Sequence, residues 1–152
     1  MTAEARLHEL GLLLPEAPDP VASYVTLNRT GNLVFTSGHG PLMPDGSWAI
    51  GKVGAEVDVA AAQAAARATG LGLLATLRTR LGSLDEVVRI VKLLGMVNCT
   101  PDFVDHPAVI NGCSDLLVDV FGDAGRHARS AIGVSSLPMG ISVEIEAVVE
   151  VR

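Results

Sequence analysis

The sequence predicts an α+β domain of element order ββαβαββ, with one mixed sheet carrying two main helices on one face. Three observations carry that expectation. Val57 to Leu81 has helical composition and spacing, Val87–Val97 and Ser142–Val151 are rich in β-branched residues, and Gly and Pro punctuate the stretches between. A chain of 152 residues is one ordinary domain, long enough to bury a core without disulfides or a metal. It shows no internal repeat and no low-complexity linker.

In order along the chain, Ala3 to Leu14 reads as a short helix with Leu7, Leu10 and Leu14 on one face, stopped by Pro15. Glu16 to Pro20 is an extended, proline-rich connector. Tyr24 to Asn28 and Leu33 to Thr36 read as a hairpin turned by Arg29-Thr30-Gly31-Asn32, and His39 to Gly46 as a loop. In the Val57–Leu81 helix, seven alanines fall between Ala60 and Ala68, and Leu71, Leu74, Leu77 and Leu81 follow at helical spacing. The small side chains let that helix lie close to a sheet. Gly82-Ser83 ends it and Val87 to Val97 is a strand. After a loop at Asn98 to Asp105, Pro107 opens a second helix that runs to about Phe121 and closes at Gly122. Ala131 to Val134 and Ser142 to Val151 are the last strands.

Val87 to Leu94 and Val148-Val149 are apolar at both parities, the pattern of strands covered on both faces. Two helices cover only one face and no third helix of suitable length remains. A partner subunit is the expected cover.

Composition removes several functions. The net charge of -6, with only 11 Lys and Arg scattered singly, opposes a nucleic-acid backbone. Aromatics at 3% supply few stacking platforms for bases. No apolar run approaches the ~20 residues of a membrane span. The opening MTAEARLHEL has an acid and alternating polar residues where a signal peptide has a basic start and an apolar run. Cys99 and Cys113 suggest no disulfide framework, so a cytoplasmic location is expected. His39, His127, Cys99 and Cys113 match no metal-ligand spacing, and no metal or other cofactor is expected.

The densest chemical signal is His127-Ala128-Arg129-Ser130-Ala131-Ile132-Gly133-Val134, followed by Leu137-Pro138 and Val143-Glu144-Ile145-Glu146. A planar guanidinium such as Arg129 can hold a carboxylate by two parallel hydrogen bonds, although a surface ion pair is the commoner use of an arginine. Glu144, Glu146 and Glu150 share one parity of the last strand, while Val143, Ile145, Ala147, Val149 and Val151 share the other. The apolar parity faces the helices, which leaves Glu144 on the opposite face. Acids at i and i+2 raise one another's pKa, a useful property in a proton-handling group. A solvated strand face is the plainer reading, and it suits Glu146 and Glu150.

This segment resembles the signature of the RidA/YjgF family, the reactive-intermediate deaminases, also called endoribonuclease L-PSP-like proteins. The resemblance extends back through Tyr24, Leu33 to Gly38, the alanine-rich helix and Asn111. It divides the chain into an N-terminal helical extension and connector at residues 1–19 and a RidA/YjgF-like domain at residues 20–152, as in a longer-chain subgroup. It implies a chorismate-mutase-like homotrimer with three clefts between subunits. It also implies hydrolytic deamination of 2-enamine and 2-imino acids to 2-keto acids and ammonia. Arg129 would clamp the substrate carboxylate and Glu144 would orient the attacking water. Tyr24, Ser37, Gly38 and Asn111 would line the cleft, with His39 and His127 as its neighbours.

Each lining residue also has a plain structural reading, Tyr24 as a half-buried strand aromatic and Asn111 as a helix polar contact. Some positions depart from the family pattern: Ala131 stands where some members carry a cysteine, Ser114 where many carry an aromatic, and His39 where a glutamine is frequent. Two further functions stay open beside the enzyme: a non-catalytic module binding small carboxylate metabolites, and, against the acidic charge, a ribonuclease.

Overall fold

The computed structural model describes all 152 residues. Three helices, α1 (Ala3–Glu9), α2 (Val59–Leu81) and α3 (His106–Phe121), accompany five strands: β1 (Leu27–Thr30), β2 (Leu33–Thr36), β3 (Val87–Asn98), β4 (Ala128–Val134) and β5 (Val143–Val151). The strands form one mixed sheet of order β1-β2-β5-β3-β4, in which only β3 and β4 run parallel. A parallel pair needs a crossover, and α3 supplies it. The ββαβαββ order holds.

Both long helices lie on one face of the sheet. Asp58 caps α2 by accepting from the Ala61 amide at 2.8 Å, and Gly82, with φ of 88°, ends it in the left-handed conformation. The alanines of α2 let α3 come very close. A side chain on Gly112 would collide with the Gln63 carbonyl of α2, so a glycine is required there. Leu73, Leu74, Leu77, Ile110, Leu116, Leu93 and Ile145 fill the layer between helices and sheet and are almost fully buried. Truncating one of these to Ala costs about 2–5 kcal/mol.

Element edges move from the sequence expectation for identifiable reasons. α1 stops at Glu9, well before Leu14, because Gly11 adopts φ of 64°. It is clasped instead by side chains: Glu4 pairs with Arg78 and accepts from the Leu84 amide, while Arg6 Nε donates to the Asp119 carbonyl. β1 begins at Leu27, beyond Tyr24, because its ladder with β2 runs only from Leu27–Thr36 to Thr30–Leu33. The turn is therefore the two residues Gly31-Asn32. β4 begins three residues earlier than Ala131, at Ala128, and so contains Arg129.

The both-sided apolar pattern of β3 has a local cause as well. Register irregularities between Val87 and Arg89 and between Ile90 and Lys92 make Ile90 and Leu93 both face the core. Val88 and Val91 are left exposed, as are Phe35 on β2 and Ile132 on β4. Within one chain the second face of the sheet is uncovered.

The connection from β2 to α2 has little regular structure, yet it is pinned. Lys52 Nζ donates to Asn98 Oδ1 at 2.8 Å, to the Ser135 carbonyl at 2.6 Å and to the Cys99 carbonyl at 3.4 Å. Isolated bridges join Val53 to Cys99 and Ile50 to Ile141.

Candidate functional site

The residues singled out in the sequence fall into two clusters. The first is built on the edge strand β4 and on α3. Asn111 and Ser114 lie three apart on α3 and so share one face. Arg129 is level with Leu93 in the parallel ladder, and since Leu93 is buried under the helices, Arg129 points to the helix side. Its NH1 group donates to Asn111 Oδ1 at 2.8 Å and to Ser114 Oγ at 3.1 Å. Both NH1 hydrogens are thereby committed, and the Nε–NH2 edge of the fork is left for a ligand. The half-buried guanidinium pairs with no carboxylate of its own chain.

His127 completes this cluster. Its Nδ1 lies 2.6 Å from the Gly125 carbonyl and its Nε2 lies 2.9 Å from Ser114 Oγ. A carbonyl can only accept, so Nδ1 carries the proton and the neutral ring accepts the Ser114 hydroxyl at Nε2. Burial pushes the imidazole below its ordinary pKa, the Gly125 bond opposes this, and Arg129 pushes it down further. The order is a relay, from Arg129 through Ser114 to His127. Ser114 entered the sequence reading only as a departure from the family pattern. Nothing in its local sequence indicates that a residue on the β4 strand needs it as a tether.

The second cluster sits at the other side of the sheet. Glu144 is level with Met96 in the antiparallel ladder and faces the side opposite the helices, as its parity implies. Desolvation raises its pKa and the neighbouring Glu146 raises it further. No cation of the chain pairs with it. A Cβ at Gly38 would sit 2.7 Å from the Glu144 carboxyl, so the missing side chain lets the Ser37–Gly38 backbone lie against the acid. Ser37 Oγ donates to the Val25 carbonyl at 2.6 Å, and its amide donates to the Thr26 carbonyl at 2.9 Å. These bonds fix the connector that carries Tyr24, which is exposed. Tyr24, Val25, Phe35 and Ser37 border an open groove of about 640 Å³.

His39 is next in sequence to Gly38 but its ring turns inward. It is buried, with Nδ1 at 2.8 Å from the Ser37 carbonyl and Nε2 at 2.7 Å from Thr76 Oγ1 of α2. Burial holds its pKa below the ordinary value. The ring supports the Ser37–Gly38 turn from beneath.

Arg129 and Glu144 do not meet within one chain. β3 separates their strands, Glu144 lies three residues (~10 Å) further along it, and the two side chains occupy opposite faces. No group of three or more His, Cys, Asp or Glu residues is arranged to hold a metal ion. No helix is long and apolar enough to cross a membrane.

The model of a family described as "YjgF/chorismate mutase-like, putative endoribonuclease" matches residues 4–147. The chain is 43% identical to protein TCP17 of Trypanosoma cruzi over 149 residues, 97% of this chain and 93% of that protein. Its fold matches the crystal structure of Atu1372 from Agrobacterium tumefaciens, a protein described as of unknown function. The TM-score is 0.90 at 46% identity, covering 99% of this chain and 92% of the other. It also matches E. coli TdcF with bound serine, with TM-score 0.64 at 28% identity, covering 90% and 94% of the two chains. A family model spanning nearly the whole chain, and a curated relative of such identity and coverage, make this protein a member of the RidA/YjgF family.

Proposed function

We propose that the protein hydrolyses reactive 2-enamine and 2-imino acids to 2-keto acids and ammonia in clefts between the subunits of a homotrimer. The observation that carries this reading is the division of the site. A preorganised, unpaired guanidinium and an unpaired carboxyl of raised pKa lie on opposite faces of one chain's sheet, so a cleft with both needs two chains. The uncovered face around Phe35 and Ile132 gives the second chain a surface to bury.

Arg129 binds the substrate carboxylate through its Nε–NH2 edge, while Asn111 and Ser114 keep the fork from rotating. Glu144 of a neighbouring copy orients water against the imine carbon and takes its proton. Its raised pKa makes it the stronger base for that step. Glu144 then hands that proton to the nitrogen, and ammonia leaves as the carbonyl forms. Ser37 and Gly38 set the position of Glu144, and Tyr24 closes the groove beside it. No cofactor enters the scheme, and the two free cysteines fit a reducing cytoplasm.

Timing keto-acid release from a serine or threonine dehydratase, with and without the protein, tests the activity. Acceleration supports it and an unchanged rate overturns it. Light scattering should give about three times the 15.7 kDa chain mass, and a stable monomer would overturn the shared cleft. TdcF holds serine, a carboxylate that is not an imine, which favours binding without turnover as the second reading. Calorimetric binding of a keto acid by a protein that leaves the imine rate unchanged would select it. Given the charge of -6, no RNA binding is expected tighter than about 10⁻⁴ M at physiological salt.

A further inference from the structure

Beyond Arg129, the helix-facing side of β4 continues through Ala131 to Gly133, about 13 Å further along the strand. There the end of β3 and the start of α3 bring two side chains together. Cys99 Sγ lies 3.5 Å from His106 Nε2. Gly133 makes the meeting possible, since a Cβ there would stand 2.5 Å from His106 Nε2 and 2.7 Å from Cys99 Sγ. The pair opens on a cavity of about 350 Å³ bordered by Phe103, Val134 and the hydroxyl residues Thr100 and Ser135. No carboxylate borders it. The one ammonium close by, that of Lys52, is committed to three oxygens.

We infer that Cys99 and His106 form a nucleophilic thiol–imidazole pair whose cavity admits small, uncharged α,β-unsaturated carbonyl compounds. Four features favour that class. The sulfur is a soft nucleophile, the imidazole is in reach of its proton, Phe103 and Val134 give the mixed lining an apolar side without charge, and the bordering hydroxyls can donate to a carbonyl oxygen. In the step, the Cys99 S–H proton passes to His106 Nε2 and a sulfur electron pair forms the C–S bond at the β-carbon. The C=C π pair shifts to give an enolate on the carbonyl oxygen. The imidazolium then returns the proton to the α-carbon, leaving a thioether and a neutral imidazole. The addition is redox-neutral and needs no other reactant.

Cys113 is the internal control. It is wholly buried between α2 and α3, and burial pushes its thiol up to about 12. Treat the folded full-length protein with N-ethylmaleimide and follow each cysteine by peptide mapping. One equivalent should add, at Cys99, with Cys113 untouched, and Cys99 should react at least as fast as glutathione at the same pH despite being 7% exposed. His106→Gln should slow the addition by about 10²-fold, the usual reach of a positioned acid–base group. Gly133→Ala, which wedges the pair apart, should slow it as well. Cys99 reacting more slowly than glutathione in wild type, or equally fast in His106→Gln, would reduce the pair to a packing contact. The glutathione comparison needs no variant, so a variant that fails to fold leaves the inference open to refutation.

Discussion

Around Arg129 every polar neighbour is tied to another, whereas Glu144 stands without a hydrogen-bonded or charged partner in its chain. Asn111, Ser114 and His127 hold the guanidinium on a helix and an edge strand, both rigid elements. Glu144 is held by its strand and by the close approach of Gly38, and its character comes from desolvation and from Glu146. The difference matches what each group does in the proposed reaction. A carboxylate clamp acts on a charge that is present throughout, so fixing it in advance is profitable. A group that must both hold and release a proton is served by an environment that leaves its two protonation states close in free energy.

The largest effect should come from breaking one half at a time and then mixing. Glu144→Gln keeps shape but cannot take a proton, and imine hydrolysis should fall about 10²-fold or more while keto-acid affinity hardly changes. Arg129→Ala should be inactive through lost binding. Co-refolded in equal amounts, the two inactive variants should recover about a quarter of wild-type activity, because random assortment leaves that share of clefts intact on both sides. No recovery would mean that both residues serve one chain's site, or none.

Arg129→Lys keeps the charge and loses the fork, so keto-acid affinity measured by calorimetry should weaken by about 1–3 kcal/mol. Asn111→Ala removes one tether of the fork and should cost about 1 kcal/mol of the same affinity with little change in kcat. A larger loss in Asn111→Ala than in Arg129→Lys would mean that Asn111 does more than hold the arginine.

The smallest effects concern protons. The raised pKa of Glu144 should place the acid limb of kcat/KM above the ordinary carboxylate range, and Glu146→Gln should move it down by removing the lesser cause. His39 and His127 titrate below the ordinary 6.5 of histidine. On acidification the unfolded chain therefore takes up protons first. Stability present above that pH is lost as the pH falls through the folded-state values. Chemical denaturation at stepped pH should show this loss, and His39→Gln should flatten it. An unchanged slope would remove His39 from the account.

The element order, the helix pair on one face and the parity of Glu144 were legible in the sequence because they rest on periodicity. Tyr24 was misplaced on a strand because its apolar neighbours resemble one, while strand length is set by where the ladder with β2 ends. The start of β4 was hidden by Arg129 and Ser130, polar residues held in the sheet by pairing with β3. Val88 and Val91 lie on the face that one chain leaves uncovered, and the register irregularities that turn both Ile90 and Leu93 to the core leave no mark in local sequence. The Ser114 tether and the Cys99–His106 contact were invisible for the same reason: each joins separate elements whose relative placement is a property of the fold. The family resemblance pointed to Arg129 and Glu144 and implied clefts between subunits, while the side-chain bonds that hold Arg129 in place came only from the fold.

Irregular surface loops are ordinarily where chains accept insertions. The β2–α2 connection departs from that expectation in a graded way. Around Asp45-Gly46, an exposed turn whose glycine has φ of 85°, extra residues would project into solvent and disturb little. Past Ile50 the same insertion would shift Lys52 away from the ends of β3 and β4, which its single ammonium joins. Length variation among natural homologues, and the placement of an epitope tag or a grafted peptide, should therefore concentrate at the first point and avoid the second.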